Sequence, residues 1–127
     1  MRVRTHGIPA LVLACLLPTL SFAHGDKDDN PVHIIAEILL NLNHSPAPED
    51  RARLDEIFRN QSYSKPVRLL AKSLYGLKHQ LGDDDEVLLD QLSNDARVPD
   101  PERQLARILI ELRHQVSMDD RRRLINM

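Results

Sequence analysis

Ile35, Ala36, Leu39 and Leu42 stand at i, i+1, i+4 and i+7, and the same spacing returns at Leu70, Ala71, Leu74 and Leu77 and again at Leu105, Ala106, Leu109 and Leu112. That spacing puts each set on one face of an α-helix and fits no strand. The sets are offset by 35 residues, and the same offset relates Pro31/Pro66/Pro101, His44/His79/His114, Asp50/Asp85/Asp120 and Leu54/Leu89/Leu124 without a gap. A constant period of this length marks a repeated supersecondary unit.

Each unit predicts two helices. The first opens at the recurring proline, whose missing N–H is one that a helix start cannot pair internally. Asn30, Ser64 and Asp100 stand just before it as candidate N-caps. The repeated alanine inside the apolar stripe predicts a close helix–helix approach, where a larger side chain would overpack. The second helix opens on negative charge, at Pro48-Glu49-Asp50, Asp83-Asp84-Asp85-Glu86 and Ser117-Met118-Asp119-Asp120. Acidic first turns complement the helix dipole, and Ser117 with Asp120 resembles a capping box. Leu54/Ile57, Leu89/Leu92 and Leu124/Met127 are its apolar positions.

The expectation is one all-α domain over residues 31–127, built from three stacked helical hairpins (31–65, 66–100 and 101–127), each covering its neighbour's apolar face. A compact six-helix bundle is the alternative, because three units make little superhelix and their ends can close on one another. The unit length is near the ~34 residues of a tetratricopeptide repeat, but the Trp/Gly/Tyr signature of that family is missing.

The N-terminal pattern differs. Arg2 and Arg4 precede a mostly apolar run from Ile8 to Leu20, and Ser21-Phe22-Ala23 supplies small residues at the −3 and −1 positions of a cleavage site. Residues 1–23 therefore read as a secretory signal peptide, too short and wrongly flanked for a membrane span, with a flexible mature N-terminus over 24–30. The expected location is the periplasm or the extracellular space. Val12-Leu13-Ala14-Cys15 also resembles a lipobox, which would anchor the chain by a lipid on Cys15. Leu16 and Leu17 continue the apolar run instead of a polar tether, which favours simple secretion.

Cys15 is the only cysteine, so cleavage after Ala23 leaves none and excludes disulfides, thiolate catalysis and cysteine-based zinc sites. Loss of Arg2 and Arg4 takes the formal net charge from −2 to −4, which gives no electrostatic case for nucleic acid. Phe58, Tyr63 and Tyr75 are the only aromatics left, too few for a stacking platform. No Gly-rich phosphate loop, nucleophile elbow or His-Glu-x-x-His motif is present, so the chain does not read as an enzyme.

Three sets of residues carry candidate chemistry. The His44/His79/His114 column invites a metal reading. Equivalent positions in adjacent helical repeats, however, are separated by helix-packing distances of about 8–10 Å, and three imidazoles in a row cannot meet on one ion. The column is expected instead to cap helix C-termini or to bond to the acidic start of the next helix. A second metal candidate is copper or zinc on a mature N-terminal amine with His24, and His33 as a third nitrogen.

The third set is the polar face of the first helices, where His33/Arg68/Arg103 and Glu37/Lys72/Arg107 vary from unit to unit. In units two and three this face is basic. Arg68, Lys72, Arg103 and Arg107, with Tyr75 as an anchor, are expected to receive an acidic peptide or carboxylate terminus by bidentate pairing. The competing expectation is pairing with Asp55, Glu56 or Asp90 on the second helices. The functional expectation is an exported protein-binding module, with a copper- or zinc-binding protein as the alternative.

Overall fold

In the computed structural model, which describes residues 29–112 and 116–127, the chain forms six α-helices and, among the described residues, no strand. They are α1 (Pro31–Leu40), α2 (Pro48–Arg59), α3 (Lys65–Tyr75), α4 (Asp83–Asn94), α5 (Asp100–Glu111) and α6 (Met118–Ile125). The all-α expectation holds, as does the pairing of two helices with each 35-residue period. Residues 1–28, which include the signal-peptide reading, Cys15, Ala23 and His24, lie outside the described residues, as do Arg113 and His114.

Local chemistry sets the helix starts. Asn30 caps α1 by accepting from the Val32 amide at 3.0 Å, and Ser64 caps α3 by accepting from Val67. Ser117 Oγ accepts from the Asp120 amide at 3.1 Å and donates to the Asp120 carboxylate at 2.6 Å, so one hydroxyl serves both the backbone and the buried acid. The unit-three expectation differs from what is observed. Asp100 is the first residue of α5 and its side chain pairs with Arg103, while Pro99 occupies the cap position with no side-chain bond. The acidic first turns of α2, α4 and α6 stand where the charge pattern puts them, against the positive end of each dipole.

Ile35, Leu39, Leu70, Leu74, Leu105 and Leu109 are wholly buried and form one core with Leu54, Leu89 and Leu124 from the second helices. Ala36, Ala71 and Ala106 are buried with them, and α1, α3 and α5 touch one another in all three pairings. An open stack keeps α1 out of reach of α5 and α6. Here α1 packs on both, so the arrangement is that of the compact bundle, with the first and last described helices in contact. Arg121 of α6 seals this contact by donating from both terminal nitrogens to the Leu40 carbonyl, 81 residues away, at 3.2 and 3.0 Å. A cation on the last turn of α1 also meets the negative end of that helix dipole.

The tight hairpins are out of phase with the repeat. α2 lies along α3, and α4 along α5, more extensively than α2 lies against α1 or α4 against α3. The reason is the length of the connections. Residues 60–64 and 95–99 turn the chain directly, whereas 41–47 and 76–82 are longer and carry the recurring histidine.

The alanine column is buried in the core where α1, α3 and α5 touch. Ala71→Leu is expected to cost about 1–3 kcal/mol by overpacking between α3 and its neighbours. Ala52→Leu, on the exposed face of α2, should stay within about 0.5 kcal/mol of the parent in urea unfolding.

Candidate functional site

The two variable columns line the grooves between each second helix and the first helix packed beside it. Between α6 and α1, a groove of about 350 Å³ is lined by His33, Ile34, Glu37, Leu124 and Ile125. Between α2 and α3, a groove of about 290 Å³ is lined by Phe58, Arg59, Gln61, Arg68, Leu69 and Lys72. His33, Ile34 and Glu37 become Arg68, Leu69 and Lys72 after one period, so the first-helix walls of the two grooves repeat each other with different chemistry. In the third position, between α4 and α5, Arg107 donates to the Ser93 carbonyl at 3.2 Å. Ser93 occupies there the place that Phe58 holds one period earlier.

Charge in the α2–α3 groove is partly committed. Arg59 pairs with Asp55 at 2.8 Å, one turn back along α2. The hydrogen bond that Arg59 donates to Asp55, and then the charge of that carboxylate, hold the Arg59 guanidinium above its ordinary pKa, with a further contribution from Tyr75 at the end of α3. Tyr75 is 41% exposed and lies within electrostatic range of this rim. Arg68 donates to the Gln61 side chain at 2.8 Å. Its Nε is buried without a partner, so only its terminal nitrogens reach the groove. Lys72 is exposed and makes no ion pair among the described residues. Phe58 and Leu69 provide apolar walls beside these cations. On the far side of Lys72 the surface changes sign, with Asp83, Asp84 and Asp85 beside the exposed Val87 and Leu88.

The structure brings Arg68 and Lys72 together and commits Arg103 and Arg107 elsewhere. Arg103 pairs with Asp100 on its own helix, and Arg107 reaches across to α4. None of the four cations pairs with Asp55, Glu56 or Asp90. Glu37 is held by Arg53 of α2 at 3.0 Å, which fixes the polarity of the α6–α1 groove beside His33. Sequence reasoning missed Phe58, Arg59, Gln61 and Leu69. Their signal was present in the Phe58/Ser93 column, but only the phase of the hairpins makes it face Arg68.

The histidine column is also placed differently from the expectation. α1 ends at Leu40 and α3 at Tyr75, so His44 and His79 lie four residues beyond, in the following loops, and not in a last helical turn. Nor are they kept apart. Their rings meet edge to face with centroids 6.1 Å apart, in the loops that follow the neighbouring helices α1 and α3. His44 carries a φ of 67°, a left-handed conformation uncommon for a residue with a side chain. Among the described residues, no group of three or more His, Cys, Asp or Glu stands close enough to hold a metal ion. The copper or zinc expectation for His24 with His33 has only His33 among the described residues, where it faces α6.

Compared with family models, curated proteins and solved structures, the chain matches none. Among the described residues no helix is long and apolar enough to cross a membrane.

The α4–α5 turn beside Arg103 is built on one carboxylate. Asp95 accepts from the Arg97 guanidinium at 2.9 and 2.8 Å and from the Arg97 amide at 3.0 Å, and these bonds pull its pKa down to about 2. A depressed carboxylate contributes stability above its unfolded pKa of about 3.9 and loses it as pH falls through the folded value. Asp95→Asn should therefore lower the thermal midpoint at pH 6. The difference from the parent should close between about pH 4 and pH 2, read by circular-dichroism melting.

Proposed function

We propose that the protein is an exported helical module that binds an acidic peptide or protein segment through the α2–α3 groove. The observation that supports this reading is the convergence of Arg68, Lys72 and Arg59 on a groove walled by Phe58 and Leu69. An apolar wall and a cationic rim suit a peptide that presents an aliphatic or aromatic side chain next to a carboxylate. The aromatic side chain supplies burial and the guanidinium supplies a directional, charge-assisted pair. Lys72 and Arg68 are the cations with charge to offer, since Arg59 is paired with Asp55 whereas Arg68 is bonded only to the neutral amide of Gln61. Asp83 to Asp85 repel a ligand carboxylate from the other side of Lys72 and so favour its entry from the α2 side.

Export to the periplasm or beyond follows from the reading of residues 1–23 and is part of the same proposal. The α6–α1 and α2–α3 grooves differ in charge while sharing a scaffold, which suits a surface that varies its binding chemistry better than one catalytic site repeated in each unit. The protein is therefore read as a binding module and not as an enzyme.

A fluorescein-labelled peptide library ending in an apolar residue and a carboxylate, screened by anisotropy, tests the reading. A selected peptide should bind the parent protein, lose at least about tenfold in affinity to Lys72→Glu or Arg68→Glu, and weaken steadily between 50 and 300 mM salt. Arg103→Glu should change the affinity by less than about twofold, because that arginine is committed to Asp100 outside the groove. Equal binding by the parent and the Lys72→Glu/Arg68→Glu double variant would end the proposal.

A further inference from the structure

We propose that the protein assembles head to tail, with the exposed face of α6 on one copy docking against the exposed face of α4 on the next. This contact does not depend on the peptide groove between α2 and α3. Besides Tyr75, the large apolar side chains exposed among the described residues are Val87 and Leu88 on α4 and Met118 and Ile125 on α6, the last two at 78% and 72%. Met118, Arg122 and Ile125 stand at i, i+4 and i+7, and Asp84, Val87, Leu88 and Gln91 at i, i+3, i+4 and i+7. Each set therefore forms one stripe along its helix, and the two stripes match in length and oppose in charge.

The 35-residue period supplies its own comparison. Val87 and Leu88 correspond to Ala52 and Arg53 of α2, and Met118 and Ile125 correspond to Pro48 and Asp55 of α2. The scaffold thus carries small or charged residues at these places on α2, and its core does not require apolar ones. The helix dipole accounts for acids at the start of α4, as it does for Glu49 and Asp50 in α2. It does not account for Val87 and Leu88 standing in water beside them. Apolar side chains grouped on a surface and bordered by charge mark a place where another molecule is received.

Charge selects the occupant. Asp83, Asp84, Asp85 and Glu86 open α4, and none makes an ion pair among the described residues. The three aspartates, Val87 and Leu88 line a groove of about 890 Å³, and their carboxylates outweigh Lys72 on its far rim. On α6, Arg122 is exposed and makes no ion pair among the described residues, and Arg123 stays 61% exposed while paired with Asp120. Arg121 is held by the Leu40 carbonyl and remains within its own bundle. Arginine flanked by apolar side chains is complementary to carboxylates flanked by apolar side chains, and the guanidinium–carboxylate pair adds direction. Two α4 faces repel each other, as do two α6 faces. A copy joined through its α6 keeps its own α4 face open to another, so the contact propagates. An anionic lipid surface would suit α6 alone and leaves the α4 patch without a role.

Sedimentation equilibrium of the full processed chain is the test. The weight-average mass of the parent should rise past that of a dimer between about 10 and 500 µM, and the rise should shrink from about 50 to 500 mM salt. Asp84→Arg/Val87→Arg on α4 and Met118→Glu/Arg122→Glu on α6 should each weaken self-association at least about tenfold. Both should melt near the parent temperature, because all four side chains are exposed. Glu49→Arg/Ala52→Arg, at the same positions of α2 as the α4 variant, should change association by less than about twofold. An equimolar mixture of the α4 and α6 variants retains one sound face of each kind and should form a dimer that grows no further. A parent that stays monomeric at about 500 µM would overturn the proposal, even if it binds anionic vesicles. Undiminished association in either face variant would also overturn it, as would a mixture that fails to pair.

Discussion

The approach of α1, α3 and α5 to one another is the constraint on which the rest of the molecule depends. Three helices can share one centre only if each presents a small residue where the backbones come nearest. Ala36, Ala71 and Ala106 are the small residues buried in that core once per period, among leucines that fill the remaining volume. Once that centre exists, α1 cannot be a free end. Its outer apolar side must be covered, and α6 is the element left to cover it. Leu124 and the Arg121 bonds to Leu40 do for the α1–α6 seam what continuous chain does for the other two. A repeat of three thus escapes the usual need of solenoids for dedicated capping units, because each end serves as the other's cap.

Closure decides where chemistry can sit. Since the chain turns sharply between α2 and α3 and between α4 and α5, the grooves lie between one unit's second helix and the next unit's first. His33 and Glu37 fall on one of those grooves and Arg68 and Lys72 on another, and not on a shared concave strip. Each groove therefore has its own charge. One is acidic beside a histidine and one is cationic beside a phenylalanine. In the third, an arginine is folded onto a backbone carbonyl.

Much of this was legible from residues alone. Helix class, the six starts and the buried stripe follow from periodicity and capping chemistry, which are local. The Ser117–Asp120 cap is a case in point, set by two side chains three residues apart. Asp100 shows the limit even of local reasoning. A residue that can cap a helix can also enter its first turn when an arginine three residues on offers an ion pair. The phase of the hairpins and the closure of the ends are not local. They depend on which of two apolar sides each second helix buries, and both sides are compatible with Leu54 or Leu89. The same gap explains the histidines. The ring contact between His44 and His79 depends on how the loops after α1 and α3 fold back, which no local pattern reports.

Constancy and variation along the period can then be separated by geometry. Proline, alanine and leucine recur because every unit must start a helix, approach its neighbours and fill the core. Histidine recurs too, yet at positions 44 and 79 it does none of these things: it is exposed, it lies past the helix end, and at His44 it sits on an unfavourable backbone conformation. A residue kept at an equivalent place in successive units without contributing to packing has its cause in what the units share when assembled. In this bundle they share the end where α1 and α3 converge, and the ring contact between His44 and His79 is the physical form of that convergence. The grooves, by contrast, are not shared, which is why Arg68 and Lys72 need no counterpart of the same charge at His33 and Glu37. One scaffold thereby supports a constant feature at its end and a different surface on each side.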